Sequence, residues 1–301
     1  MQIRSKLKLS LIFIFISFCT KGQQDFQKTF KELSQKKDTA GQSKLLKEWE
    51  VADPKDPELY IACFNFYVTK SMEAAISLDR NPKNDQSFQL SDTGSGKPAG
   101  YMNFSTNYNS KLLQKGFDYI DKGIAIHPTR LDMRFGKIYM LGEAESYEMF
   151  TKVIIETIDY DNGIKNAWLW KEGKSLEDAK EFFLGSIQDY IATIYNTEND
   201  DLLPNMRQIS ETILKYDPNH VISLANVALT YIIKEDYDKA LPYLLKAEKI
   251  DPKDIIVLNN IAEVYVRKND HPNAKIYYEK IIKNGSKEEA DDAREKLKKL
   301  N

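Results

Sequence analysis

Residues 221–254 read VISLANVALTYIIKEDYDKALPYLLKAEKIDPKD, and residues 255–288 read IIVLNNIAEVYVRKNDHPNAKIYYEKIIKNGSKE. The two stretches are consecutive copies of one pattern, written at a constant offset in residue number. The recurring apolar positions are Leu224, Val227, Ala228, Tyr231, Ala240, Leu244 and Ala247, which return as Leu258, Ile261, Ala262, Tyr265, Ala274, Tyr278 and Ile281. Apolar residues at helical spacing, with alanines where two helices would touch, predict a repeating pair of helices.

This unit resembles the tetratricopeptide repeat, specifically over residues 205–300 and in degenerate form over residues 24–204. The whole chain is also similar to exported bacterial tetratricopeptide proteins without an assigned activity, in the segments DPELYIACFNFYV, RLDMRFGKIYMLGE and IIVLNNIAEVY. The resemblance implies an all-α fold, a right-handed α-solenoid of about six helix pairs. In such a pair the first helix (helix A) lines a concave groove and the second (helix B) forms the convex back.

Proline marks the ends of the units. Asp251-Pro252 closes the unit that begins at Val221, and Asp217-Pro218 occupies the equivalent place one repeat earlier. His127-Pro128 and Asp53-Pro54 have the same form. Since proline cannot continue a helix, these four sites predict the ends of four B helices. We therefore expect one helical repeat domain over residues 23–301, closed by a charged capping helix at 288–300.

An insertion interrupts the second unit. A helix A is predicted over 57–76, because Tyr60, Cys63, Phe64 and Tyr67 share one helical face. Residues 77–109 are rich in Asn, Ser, Gly and Asp and contain the short apolar runs SFQL and GYMNF around a glycine-rich turn. That pattern predicts a β-hairpin-like insertion, for which we expect a lid or a second contact surface. Helix B resumes at about Ser110.

Two local features are predicted between the third and fourth units. Asp161-Asn162-Gly163 favours a turn, because these residue types adopt turn conformations readily. The long apolar pattern that follows predicts one helix with Ser175 as its N-terminal cap.

The N-terminal 22 residues have the pattern of a secretory signal peptide, with a basic start followed by an apolar run from Leu9 to Phe18 that is shorter than the roughly 20 residues of a membrane-spanning helix. Two interpretations remain open: cleavage after Gly22, or lipidation of Cys19 as in a bacterial lipoprotein. We expect an exported protein, periplasmic or associated with the outer membrane, with membrane contact only through an anchor at Cys19.

Charge and cysteine content exclude several classes of protein. Removal of residues 1–22 takes away four basic residues and no acidic one, so the formal net charge changes from −2 to −6. A nucleic-acid-binding protein needs a basic face, so nucleic acid is not an expected partner. If Cys19 is removed or lipidated, Cys63 has no intramolecular partner, and a buried apolar role is the expected one.

The resemblance also implies which side chains face the groove, namely positions 2, 5, 9, 12 and 13 of each unit. In the fifth and sixth units these are Ile222, Ala225, Leu229, Ile232, Ile233, Ile256, Asn259, Glu263, Val266 and Arg267. The second and third units contribute Asn65, Val68, Thr69, Asp132, Phe135, Tyr139, Gly142 and Glu143. The fifth unit's set is apolar, so either an extended peptide or another part of the chain is expected to cover it. Asn226 and Asn260 match a structural Asn of the repeat.

No enzymatic constellation is recognisable. Asp92-Thr93-Gly94-Ser95 occurs once, whereas an aspartic protease needs two aspartates on a β scaffold, so a turn is expected there. Gly94-Ser95-Gly96-Lys97 lacks the first glycine and the Ser or Thr of a phosphate-binding loop. The three histidines fall at separate turns, which favours neither a metal site nor a catalytic triad. We predict no enzyme activity, no cofactor and no metal.

Two upstream clusters are candidates for a secondary surface. Arg130, Asp132 and Arg134 suit bidentate pairing with a partner's carboxylate, or else a salt bridge to Glu143 or Glu145 that holds the turn. Trp168 and Trp170 could stack together on a sugar or peptide, or else pack between degenerate repeats. The first function expected is a non-catalytic scaffold that binds a protein or peptide segment in the groove. The alternative is a glycan-binding envelope (lipo)protein, which needs an exposed aromatic platform.

Overall fold

The protein is represented by a computed structural model that describes residues 19–82 and 87–300, and the side chains from residue 26 onward within those ranges. Residues 1–18 of the predicted signal peptide lie outside the described residues, as does the side chain of Cys19. The chain divides into two compact units, Met1–His127 and Pro128–Asn301, where the sequence predicted one repeat domain. Each unit is described by itself below.

The first unit contains four helices and a three-stranded sheet within its described residues. These are α1 (Cys19–Gln35), α2 (Thr39–Ala52), α3 (Pro57–Ser71), β1 (Met72–Asp79), β2 (Phe88–Ser91), β3 (Pro98–Tyr108) and α4 (Ser110–Ile126). Its helical core centres on Trp49, whose ring stacks on Phe26 and whose Nε1 donates to the buried Asp56 carboxylate at 2.8 Å. Asp56 also caps the start of α3 by accepting from the Glu58 N–H.

Across residues 128–300, the regular elements of the second unit are helices apart from one short hairpin. Its elements are α5 (Leu131–Glu143), α6 (Tyr147–Ile164), β4 (Leu169–Trp170), β5 (Lys174–Ser175), α7 (Ala179–Tyr195), α8 (Leu203–Tyr216), α9 (Val221–Ile233), α10 (Tyr237–Ile250), α11 (Ile255–Arg267), α12 (His271–Asn284) and α13 (Lys287–Lys299). From α8 onward each helix packs on its neighbour in the chain. The predicted fold class, an all-α chain of about six helix pairs with a β insertion, is confirmed.

The helices of the last two pairs repeat with the predicted period. α11 begins and ends exactly one repeat after α9, and α12 does so after α10. The connecting turns also match, since Glu235 and Asn269 both have a φ of 58°. This conformation is unfavourable for residues with a Cβ. Each turn is closed by an equivalent backbone hydrogen bond, from the Asp236 N–H to the Tyr231 carbonyl and from the Asp270 N–H to the Tyr265 carbonyl. The turns before α2, α6 and α8 each contain one left-handed residue too, at Lys37, Glu145 and Glu198.

The four predicted helix ends lie at their prolines. Asp53, His127, Asp217 and Asp251 each donate a backbone N–H to the carbonyl four residues earlier, and each precedes a proline. The apolar stripes of the last two pairs then form one core, in which Ala240, Ala247 and Ala274 are fully buried. Small residues at these positions allow the close helix contact that the repeat pattern indicated.

The insertion begins earlier than predicted. α3 ends at Ser71, and residues 72–79 form β1 instead of the last turns of helix A. β1 pairs with β3 along its whole length, from Met72↔Tyr108 to Asp79↔Tyr101. The predicted hairpin corresponds to β2 and β3, and the sheet order is β1-β3-β2. The sequence did not predict β1 because apolar and polar residues alternate only weakly over residues 72–79. Its apolar residues follow directly on those of α3 and resemble more of the same helix.

Two predictions around the fourth pair were wrong. Residues 161–163 belong to the last turn of α6, which ends at Ile164 and is followed by Lys165 in a left-handed conformation. Ser175 lies in β5, where it pairs with Leu169, and α7 starts only at Ala179, after Asp178 with a φ of 49°. The short β4–β5 hairpin therefore occupies the place where the sequence favoured the first turn of a helix.

A histidine caps α9, and its titration predicts a pH-dependent contribution to stability. The backbone N–H of Ser223 donates to Nδ1 of His220, and burial lowers the pKa of the His220 imidazole below its ordinary value. A histidine with a lowered pKa stabilises the fold in its neutral form, so that contribution is lost as the pH falls through the folded-state pKa. Protonation also removes the acceptor that caps the helix.

We therefore expect His220 alone to lower the free energy of unfolding by about 0.5–1 kcal/mol between pH 7 and pH 5. This is the low end of the range for a helix cap, because solvent reaches the half-buried ring. The equivalent residue of the next repeat is Asp254, which caps α11. His220→Asp should remove that part of the pH dependence, as measured by urea denaturation of both proteins at the two pH values. An unchanged difference between pH 7 and pH 5 would show that His220 does not contribute in this way.

Candidate functional site

The A helix of the fifth pair presents an apolar row. Ile222 at the start of α9 exposes 52% of its surface, and Ala225, Leu229, Ile232 and Ile233 are half-buried. The described part of the chain therefore does not cover this row completely.

The row continues on the sixth pair and then becomes polar. Ile256 of α11 is 71% exposed and occupies the position equivalent to Ile222, one repeat later. One turn further, Asn259 accepts from Nζ of Lys296 on α13 at 3.3 Å. Glu263 and Arg267 form an exposed ion pair at 2.9 Å, and Val266 is half-buried beside them. The surface formed by Ile222, Ala225, Leu229, Ile233, Ile256, Asn259, Glu263 and Arg267 is called the helix A surface below.

An open cavity of about 330 Å³ lies beside Ile233, the last residue of α9. Its other walls include the end of α7 and the turn that follows α7. Tyr195 lines this cavity and is 49% exposed, while Ile194 behind it is buried. Sequence analysis missed Tyr195, because the fourth pair is too degenerate for its positions to be aligned with the other repeats.

On α5, the A helix of the third pair, not all of the positions predicted to face the groove are accessible. Phe135 is only 6% exposed, and its ring packs against Trp170, Phe182, Phe183 and Tyr190. It is therefore a core residue and does not face a groove. Tyr139 is 60% exposed and Glu143 is accessible next to it, whereas Gly142 lies against Phe150. Tyr139 and Glu143 keep the accessibility that a binding position needs.

Asn65 and Thr69 of α3 are accessible and Val68 is half-buried. These three residues belong to the first compact unit, whereas the helix A surface belongs to the second. Each set is therefore considered within its own unit.

The two arginines at the start of α5 are buried, which contradicts their prediction as a secondary surface. Arg130 is 3% exposed and donates from Nε and the terminal guanidinium nitrogen to both carboxylate oxygens of Asp132, at 2.8 and 2.7 Å. Arg134 is 9% exposed, donates to the Pro128 carbonyl and lies 4.4 Å above the Tyr160 ring. Asp132 was predicted to face the groove, but its carboxylate is held in this internal pair. Arg130 therefore forms a salt bridge with Asp132, where the sequence had offered Glu143 or Glu145 as the internal partner.

The tryptophan pair does not form an exposed platform. Trp168 is 2% exposed, stacks on Phe183, and its Nε1 donates to Asp161 at 2.6 Å. Trp170 is half-buried and packs edge-on against Phe182 at 5.0 Å. Both rings fill the space between β4 and α7, as expected for packing between degenerate repeats. The glycan-binding alternative loses the aromatic surface on which it depended.

A larger cavity lies between α6, α7 and α8 and was not predicted. It holds about 450 Å³, has Phe183, Ile158 and Ile213 among its apolar walls, and has Asp161 and Lys180 at its polar edge. Burial raises the pKa of the Asp161 carboxyl, although the hydrogen bond from Trp168 opposes the shift. No sequence signal pointed here, since Asp161 was assigned to a turn.

The remaining reactive groups are in structural settings. Cys63 is 3% exposed, and burial raises the pKa of its thiol to about 12, so it is no nucleophile at neutral pH. The Asp92 carboxylate accepts from the backbone N–H groups of Gly94 and Ser95, as expected for a turn, and the Ser95 hydrogen bonds hold the pKa of that carboxyl below its ordinary value.

Across residues 19–82 and 87–300, no group of three His, Cys, Asp or Glu side chains is placed to hold a metal ion. None of the described helices is both long and apolar enough to cross a membrane.

Comparison with known proteins identifies the repeats. A family model described as tetratricopeptide repeat matches residues 222–254 and 256–284. The chain therefore carries tetratricopeptide repeats in its fifth and sixth helix pairs, as the sequence pattern predicted. No curated protein matches the chain.

Several solved structures are similar at low identity. A tetratricopeptide repeat protein from Parabacteroides merdae ATCC 43184 is 13% identical, with 92% of this chain and 86% of that chain covered and a TM-score of 0.37. Yeast Tom70 is 12% identical over 98% of this chain and 67% of its own, with a TM-score of 0.34. The Sgt2 tetratricopeptide domain from Aspergillus fumigatus is 20% identical over 38% and 82%, with a TM-score of 0.32.

Proposed function

We propose that this protein is a non-catalytic interaction scaffold whose helix A surface binds a segment of a partner protein. Tetratricopeptide arrays present their A helices as an extended binding surface. The observation that supports the proposal is the pair of equivalent isoleucines, Ile222 and Ile256, exposed by 52% and 71% on neighbouring repeats. Single exposed apolar residues are common, but a repeated exposed position beside a half-buried apolar row is a feature of binding surfaces.

The composition of this surface limits the class of partner. Its α9 part is apolar, which favours a partner segment with aliphatic or aromatic side chains. Its α11 part offers the Asn259 amide and the Glu263–Arg267 pair, which can orient the polar backbone or a charged side chain of that segment. Burying both isoleucines would stabilise such a complex by about 1–2 kcal/mol each.

We also propose that the protein acts in the bacterial cell envelope. The support for this location is the sequence of residues 1–22 alone, with cleavage after Gly22 or lipidation at Cys19 as the two routes. Mass spectrometry of the N-terminal peptide of protein isolated from cells distinguishes these routes, and an intact Met1 would contradict both.

Partner capture tests the helix A surface. The purified protein and two variants are used as baits on envelope extracts, with captured proteins identified by mass spectrometry. Ile256→Glu places a charge on the helix A surface, and Ile276→Glu places the same charge on the exposed side of α12, where Ile276 is 49% exposed. We expect at least about a tenfold loss of the specific partner with Ile256→Glu and no loss with Ile276→Glu. Equal capture by both variants would contradict the proposed surface.

A further inference from the structure

The three-stranded sheet of β1, β3 and β2 exposes apolar side chains on one face and buries a polar side chain on the other. In β1 the residues Ile76 and Leu78 are 63% and 71% accessible, and in β2 Phe88 and Leu90 are 62% and 38% accessible. The cross-strand pairs place all four on one face, because Ile76 is opposite Phe104 while Leu78 and Phe88 are both opposite Met102. The Phe88 and Phe104 rings meet edge-on at 5.9 Å, as residues on the same face should.

The opposite face is polar, and it is covered at its centre. Asn103 is 1% exposed, and its Nδ2 donates to Asp79 at 2.9 Å and to the Asn81 carbonyl at 3.4 Å. Ser77 donates to the same Asp79 carboxylate at 2.7 Å. An antiparallel sheet with one face in water normally turns its apolar side chains inward. A shift of the strand register by one residue would turn the apolar side chains of this sheet to its covered face. The hydrogen bonds of Ser77 and Asn103 to Asp79 instead hold the register that places polar side chains there.

We propose that this apolar face, formed by Ile76, Leu78, Phe88, Leu90, Met102 and Phe104, is the contact surface between two copies of the chain. A face whose six side chains are all uncharged is complementary to itself, so a symmetric pair brings no like charges together. Two such sheets can pack face to face about 10 Å apart, with the two sets of side chains interdigitated.

The exposed area agrees with a reversible dimer. Large apolar side chains present about 150–250 Å² each when fully accessible. The four exposed side chains of β1 and β2 therefore give roughly 450 Å² per copy, and the half-buried Met102 and Phe104 bring the face to roughly 500 Å². The pair would bury about 1,000 Å², which is the lower limit for a specific protein–protein interface. We therefore expect a dimer whose population depends on protein concentration.

Charge disfavours a lipid surface as the occupant. The face contains no Lys or Arg, and the whole chain has a formal net charge of −2, which falls to −6 without residues 1–22. Peripheral proteins that bind anionic lipid usually add basic residues around their apolar contacts.

Sedimentation velocity of three purified forms of the full chain tests the proposal. The first is the parent, the second is Leu78→Glu with Phe88→Glu, and the third is the matched control Gln89→Glu with Ser105→Glu. The control places the same charges at exposed positions on the opposite face of the same sheet. All three share the same N-terminal residues, so any association through those residues is common to them.

We expect the parent to sediment with twice its 34.8 kDa chain mass at about 100 µM and to dissociate on dilution. The face variant should raise the dissociation constant at least about 100-fold, while the control leaves it unchanged. Circular dichroism checks that each form is folded, and Ile76→Glu with Leu90→Glu serves as a second face variant.

Either of two results would overturn the proposal: a monomeric parent at about 100 µM, or a face variant that dimerises like the parent. If the monomeric parent also pellets with phosphatidylglycerol vesicles while the face variant stays in solution, the face is assigned to lipid.

Discussion

Replacing Trp168 with alanine is expected to destabilise the second compact unit by about 4 kcal/mol. The ring is 2% exposed and stacks on Phe183, so its removal leaves a large cavity between β4 and α7. The substitution also removes the donor to Asp161 and the aromatic ring that lies 5.7 Å from the Arg134 guanidinium. Two polar groups therefore lose a partner in addition to the lost packing.

Urea denaturation followed by far-ultraviolet circular dichroism measures this effect. Trp170→Ala is the matched control, because Trp170 belongs to the same short hairpin but is only half-buried, and it should cost about 1–2 kcal/mol. A loss below about 1 kcal/mol for Trp168→Ala would mean that this ring is accessible and would reopen its role as a binding platform.

Replacing Asp132 with alanine is expected to cost about 3 kcal/mol of unfolding free energy. The Arg130 guanidinium is buried and would lose both hydrogen bonds to the carboxylate. The double substitution Arg130→Met with Asp132→Leu removes the charge as well, and we expect it to recover most of the lost stability.

A double-mutant cycle from the same denaturation experiments tests this pair. Additive effects of Arg130→Met and Asp132→Leu would show that the two side chains are not coupled and would contradict the buried ion pair. A coupling energy of about 2 kcal/mol or more is the expected result.

The period of the sequence repeat predicted most of the fold. Two clean copies predicted two helix pairs over residues 221–288, because their apolar residues recur at helical spacing and alanines stand where two helices touch. The Pro sites predicted helix ends for the same local reason. β1 escaped prediction since its pairing with β3 is a contact between distant residues, which no local periodicity reports.

The candidate site was less predictable than the fold. Assigning groove positions by repeat number gave accessible side chains at Ile222 and Ile256, whose helices keep the repeat, and it failed for Phe135 and Asp132. The degenerate fourth pair brings Phe182, Phe183 and Trp170 against Phe135, which fills the space that a regular repeat would leave open. For Arg130 and Trp168 the sequence left a surface role and an internal role open, because burial depends on these same distant contacts, and the structure shows both side chains buried.

Site-specific photocrosslinking at position 256 tests the central claim most directly. A photoreactive phenylalanine analogue replaces Ile256 in one form of the protein and Ile276 in the other, and both are irradiated in envelope extract. The account predicts a discrete crosslinked partner from position 256 and none from position 276. Crosslinks of equal yield and identity from both positions, or a partner found only from position 276, would contradict a binding role for the helix A surface.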